Sequence, residues 1–199
     1  MKCSQQATFF GRSPEVVAPE LLGWWLQHGE VTVSIVETEA YLGREDAASH
    51  AYPGPTRRNQ SMFGAPGRCY IYRIYGMHLC FNVVCHEEGQ AGAVLIRAGE
   101  VVDGQALAIG RRGRASDLAN GPGRLGQALG LDPELDGTCL LEGPLRLSPP
   151  EEPVGPIAKG PRVGISKAIE LPLRFWLLRS AQVSRGRPGP ALKKRRGAS

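Results

Sequence analysis

Residues 69–85 read CYIYRIYGMHLCFNVVC. Apolar and aromatic residues dominate on both sides of Tyr75-Gly76-Met77, which predicts an antiparallel hairpin turning at Gly76. Further strands are expected to frame it. Residues 31–39 (VTVSIVETE) alternate, with Val31, Val33 and Ile35 on one face and Thr32 and Ser34 on the other. The phase slips at Val36, where a bulge or twist is expected. Residues 93–98 read as another strand, and 158–166 and 173–179 as late ones. Ser13-Pro14-Glu15 has the form of a helix start: a hydroxyl cap, a Pro at the first position and an acid in the first turn. That helix is expected to run through Gln27, interrupted by Pro19, and to bury Val16, Leu21, Leu22, Trp24, Trp25 and Leu26. Short helices are predicted over 104–112 and 124–129, and no internal repeat is present. Between the first strand and the hairpin, residues 43–67 form a polar loop of a length that is often functional.

The 199 residues suit one domain with a substantial core, and 42% hydrophobic residues exclude a largely disordered chain. The 26 Gly and 16 Pro imply many turns. The net charge of +5 is unevenly placed. Residues 185–199 hold six basic side chains (Arg185, Arg187, Lys193, Lys194, Arg195 and Arg196) and no acid, while the other 184 residues carry 18 basic and 19 acidic ones. A polyanion-binding surface on the folded part, 1–184, must therefore be a local patch. The tail is expected to be disordered from Gly186 onward, and its charge fits either simple solvation or phosphate contact. The five Cys (Cys3, Cys69, Cys80, Cys85 and Cys139) form no CxxC pair. That odd count, with no apolar h-region in MKCSQQATFF, predicts reduced thiols and a cytoplasmic setting. No stretch approaches the roughly 20 apolar residues of a membrane span, so no membrane partner is expected.

Glu37 and Glu39, two apart on a predicted strand, project from one face. Two carboxylates in one site push their pKa values apart, which can leave one as a base near neutral pH. A solvated strand face would show the same spacing. Tyr41, His50, Tyr70, Tyr72 and Tyr75 follow the pair in sequence. Aromatic rings beside a carboxylate suit a flat, electron-poor ligand such as a nucleobase out of its stack, although alternating tyrosines also arise from ordinary sheet packing.

Taken together, ETEAYLGREDAASHA (37–51), TRRNQSMFGAPGRCYIYRIYGMHLCFNVV (56–84), AVLIRAGE (93–100), ANGPGRLGQALGL (119–131) and RVGISKAIELPLRFWL (162–177) resemble the alkyladenine (3-methyladenine) DNA glycosylases. The resemblance runs from about residue 8 to 184. It implies an α+β fold: a single mixed domain around a curved antiparallel sheet, without a helix-hairpin-helix. It implies Glu39 as the general base for a water, with Arg97 and the main-chain carbonyl of Val163 helping to hold that water. Tyr41 would stack on one face of the flipped base and His50 and Tyr72 on the other, while Asn82 would clash with the exocyclic amino group of normal guanine. Tyr75 would be the wedge in the duplex, with Met77 beside it. The implied activity is base excision repair: release of 3-methyladenine, 7-methylguanine, hypoxanthine or ethenoadenine from double-stranded DNA. Neither metal nor cofactor is expected. A bacterial, nucleoid-associated monomer is expected, partly because the chain lacks a long N-terminal extension. Gly99 and Val101 depart from the bulky residue and Pro common after LIRA, His78 departs after Met77, and the segment from His50 to Asn59 is one residue shorter than in some relatives. These bear on substrate range and intercalation.

Arg57, Arg58, Arg68 and Arg73 flank the motif residues as candidate phosphate contacts, and each is equally an ordinary surface charge. Arg111, Arg112 and Arg114 are a similar case. Glu37 has no role in the resemblance and is expected to pair with a nearby Arg. His78, Cys80, Cys85 and His86 match no usual zinc spacing. Gly121-Pro122-Gly123-Arg124-Leu125-Gly126 fits GxGxxG but lacks a βαβ setting, so it is either a structural turn or a helix N-terminus near a phosphate. A lyase needs an amine nucleophile, and none of Lys2, Lys159, Lys167, Lys193 and Lys194 is expected in the pocket, so a monofunctional enzyme is predicted. Two rivals differ in class. A binding module that had lost catalysis would not need Glu39, and a nucleoside hydrolase would not need Tyr75.

Overall fold

The computed structural model describes residues 8–86 and 90–185. The basic run from Gly186 onward, with Cys3, Lys2, Lys193 and Lys194, lies outside the described residues. The elements are α1 (Pro14–Glu20), β1 (Trp25–His28), β2 (Val31–Tyr41), β3 (Cys69–Ile74), β4 (His78–Val84), β5 (Ala93–Asp103), α2 (Gln105–Arg112), α3 (Pro122–Leu129), β6 (Leu145–Ser148), β7 (Ile157–Gly160) and β8 (Arg174–Leu177). They form one α+β domain around a curled sheet of order β3-β4-β5-β2-β1-β6, with every pair antiparallel.

The first half of β2 pairs with β1 (Val31 to Ser34), and its second half pairs with β8 (Glu37 to Glu39). The change of partner coincides with a register shift against β5 between Ile35 and Glu37, where Val36 is the extra residue. The expected bulge is thus present, and it reorients the strand just before the two acids. Thr38 faces α1, donating from Oγ1 to the Ala18 carbonyl (2.8 Å), so Glu37 and Glu39 share the opposite face. Gly99 faces β2 across this bend, and a Cβ there would meet Val33 Cγ1 at 2.1 Å. The absence of a bulky side chain at 99 is therefore a packing requirement of the bent pair.

The main core gathers Phe10, Leu22, Val33, Phe81, Ile96 and Leu125 among others. A smaller cluster, with Ala51 and Met62 packed on Tyr70 and Val84, lies under the long loop. Asn59 completes that anchorage by donating from Nδ2 to the carbonyls of His50 (2.8 Å) and Gly54 (3.0 Å). The loop is therefore ordered although it is mostly polar.

Several expectations need correction. The first helix ends at Glu20, not Gln27, because Gly23 turns the chain at φ 81 and residues 25–28 extend as β1. Val16 and Trp25 stand exposed. The strand expected over 158–166 is only Ile157–Gly160; Pro161 has no N–H to extend the ladder, and 162–166 become a crossing loop. The strand β6 was not anticipated.

Candidate active site

The β2 bend, the β3–β4 hairpin, the loop over 43–67 and the loop after β7 enclose a cavity of about 780 Å³. Its wall includes Tyr41, His50, Tyr72, Asn82, Arg97 and Val163. Six of the residues singled out in the sequence thus converge, drawn from five separate segments.

Glu39 is fully buried beside this cavity. Its Oε1 accepts the Val163 amide N–H (2.7 Å). Its Oε2 accepts the Tyr41 hydroxyl (2.9 Å) and Arg97 Nη1 (3.3 Å). Burial pushes the Glu39 carboxyl above the usual carboxylate range, opposed by Arg97, the Val163 amide and Tyr41. The group of Val163 that touches Glu39 is the amide N–H. Burial raises Tyr41 well above its ordinary value, with Glu39 adding to the effect, so it remains a phenol and a donor.

The ring of Tyr41 is covered on one side. The Arg162 guanidinium lies 4.6 Å from its centroid. Arg162 is fully buried and grips Asp46 with both terminal nitrogens, Nη2 to Oδ1 at 2.8 Å and Nη1 to Oδ2. Arg162 Nη1 also donates to the Ala40 carbonyl (2.9 Å). Burial would push Asp46 upward, but hydrogen bonds and charge from Arg162 hold it below its ordinary value. This pair ties the loop that carries His50 to the strand that carries Glu39.

On the other wall, the His50 and Tyr72 rings meet edge to face at 4.5 Å. His50 Nδ1 shares a hydrogen bond with the Tyr70 hydroxyl (2.9 Å). Burial, then the charge of Arg58, lowers the His50 pKa, so the imidazole is neutral at neutral pH. Asn82 Nδ2 donates to the Tyr70 carbonyl (3.0 Å), which orients the amide. Tyr75 and Met77 stand at the hairpin tip, 89% and 70% exposed, with Tyr75 in the left-handed region at φ 49. Tyr75 also borders the cavity mouth.

The four candidate phosphate contacts are all exposed and none lines the cavity. Arg58 Nη2 and Arg73 sit together beside the hairpin, joined at the Arg73 carbonyl (3.2 Å). Arg68 turns away to the Gly137 carbonyl (2.8 Å), and Arg57 is exposed on the loop. Lys167 corrects an expectation, since it does line the cavity; its ammonium lies at the exposed rim, 6.0 Å from the Tyr52 ring centroid. The segment Gly121–Arg124 lines the cavity too, at the start of α3. Among the described residues, no three His, Cys, Asp or Glu side chains gather as a metal site, and no helix is long and apolar enough to cross a membrane.

Sequence inspection missed Arg162, Asp46 and Ser184. The first two stand in RVGI and GRED without any local sign of pairing, and Ser184 lies beyond the last motif.

The site is thus an aromatic-walled slot beside a buried carboxylate whose pKa is raised. The model of the Methylpurine-DNA glycosylase (MPG) family matches residues 8–181, and the chain belongs to that family. It is 50% identical over 194 residues to a protein of Frankia casuarinae, covering 90% of this chain and 92% of the relative. A Methanoculleus marisnigri protein is 50% identical over 188 residues (90% and 97%), and one of Corynebacterium jeikeium 44% over 204 (94% and 95%). All three carry the name "Putative 3-methyladenine DNA glycosylase". The chain is accordingly an enzyme of the DNA glycosylase type, a hydrolase of N-glycosyl bonds to alkylated bases in DNA.

Proposed function

We propose that the enzyme flips 3-methyladenine, 7-methylguanine, hypoxanthine or ethenoadenine out of double-stranded DNA and hydrolyses the glycosidic bond with water activated by Glu39. The observation that carries this is the Glu39 carboxylate, fully buried, raised in pKa and held by Val163, Tyr41 and Arg97 beside an aromatic slot. A base in a duplex cannot reach a buried carboxylate, so the nucleotide must leave the stack. Tyr41 stacks on one face of the extruded base, because Arg162 occupies the far side of its ring. His50 and Tyr72 close the other face, and Asn82 disfavours the exocyclic amino group of guanine. Tyr75, with Met77, fills the space left in the duplex. Arg57, Arg58, Arg68 and Arg73 supply phosphate contacts at the periphery.

As the bond to the purine breaks, positive charge develops on the sugar, and the Glu39 carboxylate stabilises it while taking the proton of the attacking water. Arg97 and the Val163 backbone position the water. Alkylated purines already carry positive charge and leave readily. Lys167, exposed at the rim with its ammonium toward the Tyr52 ring, does not form a Schiff base, so the abasic site is left intact and the enzyme, acting as a monomer, is monofunctional.

The test is single-turnover base release from duplexes with one lesion each, for wild type and Glu39→Gln. Loss of about 10²- to 10⁴-fold in rate with duplex binding retained is expected. Equal rates would remove Glu39 from the mechanism. Borohydride trapping of a covalent enzyme–DNA adduct would overturn the monofunctional assignment.

A further inference from the structure

Glu37 lies two residues before Glu39, fully buried on the same face of β2. It accepts four hydrogen bonds. Arg97 Nε donates to its Oε1 (3.1 Å), Arg174 Nε to Oε1 (2.6 Å), Ser184 Oγ to Oε1 (2.9 Å) and the Ser184 amide to Oε2 (2.6 Å). Both ends of the Arg97 guanidinium are therefore spoken for. Nε is fixed by Glu37, Nη2 by Ser184 Oγ (3.3 Å), and Nη1 alone reaches Glu39. An arginine facing two free carboxylates would be free to swing between them. Here the first acid is saturated by its own donors and acts as a fixed anchor.

We propose that Glu37 is a positioning residue: with Arg174 and Ser184 it locks Arg97 in the orientation that serves Glu39, and it shares the Arg97 charge so that Glu39 remains basic enough to accept a proton. The inference rests on Glu39 being the general base. A second consequence concerns Ser184. It follows β8 and contributes both a backbone and a side-chain donor, so docking of the segment 178–185 onto the sheet completes the site.

The charges facing Glu39 are few and can be named. Arg97 comes from β5, Arg162 from the loop after β7 and Tyr72 from β3, while Tyr41 and Glu37 belong to its own strand. Arg174 of β8 is paired with Glu39 in register, but its side chain goes to Glu37 and lies over Trp176. Of these groups, Arg97 and the Tyr41 hydroxyl act to lower Glu39, and Glu37 acts to raise it. Removing the Glu37 charge leaves Arg97 acting on Glu39 alone. The base then becomes a weaker one and its deprotonation moves to lower pH.

The experiment is single-turnover release of 7-methylguanine from duplex DNA across pH, with wild type, Glu37→Gln, Ser184→Ala and Glu39→Gln. The cationic base leaves without needing a proton, so the acid limb reports deprotonation of the base. Glu37→Gln is expected to lose about 10- to 100-fold in rate, with lesion-duplex affinity within about threefold of wild type and the acid limb moved to lower pH. A purely structural role would lower the folded fraction without moving the limb. Ser184→Ala leaves every charge in place, so it reports on the anchor even where Glu37→Gln does not fold. It should lose several-fold in rate at unchanged affinity. Wild-type rates in both variants, or a slowed Glu37→Gln with an unmoved limb, would overturn the inference. Activity retained in Glu39→Gln would instead overturn the base assignment, which keeps the two failures distinct.

Discussion

The two ends of the site are built in opposite ways. At the β2 bend, Glu37, Glu39 and Arg97 are packed below the surface with Arg174 half-buried beside them, and each carboxylate is held by at least three donors. At the hairpin tip, Tyr75 and Met77 hold large apolar side chains in solvent, and Tyr75 adopts a backbone conformation that non-glycine residues avoid. The first region spends folding energy on fixing geometry before substrate arrives. The second leaves apolar surface uncovered, as surfaces that meet a partner do. Stability and function should therefore separate in mutants: substitutions at the bend should damage both, and substitutions at the tip only function.

The largest effect is expected for Arg97→Ala. Breaking a buried ion cluster by deleting one partner costs about 3–5 kcal/mol, because the carboxylates stay behind uncompensated. Urea unfolding and single-turnover rates should both fall sharply. A stable variant with only kinetic damage would break the comparison.

Asp46→Asn comes next and adds a pH signature. It leaves fully buried Arg162 without its anion, a loss of about 3 kcal/mol at neutral pH. The folded pKa of Asp46 lies below its ordinary value, so its contribution is whole above the unfolded pKa and is lost as pH falls through the folded one. The stability gap between wild type and Asp46→Asn should therefore be constant from pH 7 to about 5 and narrow below about 4. A gap that widened in acid would contradict the lowered pKa.

What was legible in the sequence follows the same division. The hairpin, the alternation of β2 and the slip at Val36 are local patterns, and short-range periodicity displays them directly. The helix over 14–27 was misjudged because its end depends on Gly23, where a Cβ would strike Val154 Cγ1 at 2.1 Å, a contact 131 residues away in the chain. Strand β6 is four residues with no strong flanking signal, and its partner β1 had been assigned to that helix. Glu39, Tyr41, His50, Tyr72, Asn82 and Arg97 could be picked out because they sit in long family motifs. Arg162 with Asp46, and Ser184 with Glu37, are separated by 116 and 147 residues, and pairings of that range leave no trace in local spacing.

At the tip, Tyr75→Ala is expected to leave unfolding free energy within about 0.5 kcal/mol of wild type, since the ring makes few contacts at 89% exposure. Affinity for a lesion duplex should drop by about 1–3 kcal/mol, the usual worth of an aromatic ring stacked on a base. A marked loss of stability would mean that the ring packs on the protein in solution, and an unchanged affinity would mean that it does not enter the duplex.

The smallest effect is expected for Met77→Ala. Met77 shares the tip, but an unbranched thioether adapts to many surfaces and fixes none, so its neighbours can close part of the gap when it is shortened. Its loss should lower duplex affinity by about two- to fivefold and leave stability unchanged. Tyr75→Ala combined with Met77→Ala makes the comparison sharper. If the ring alone parts the bases and the thioether only pads it, removing Met77 from the Tyr75→Ala background should cost nothing further. If both enter the duplex, the losses should add. An additive result measured on lesion duplex but absent on undamaged duplex would place both side chains in the gap left by extrusion, and equal losses on the two duplexes would place Met77 on the surface of the groove.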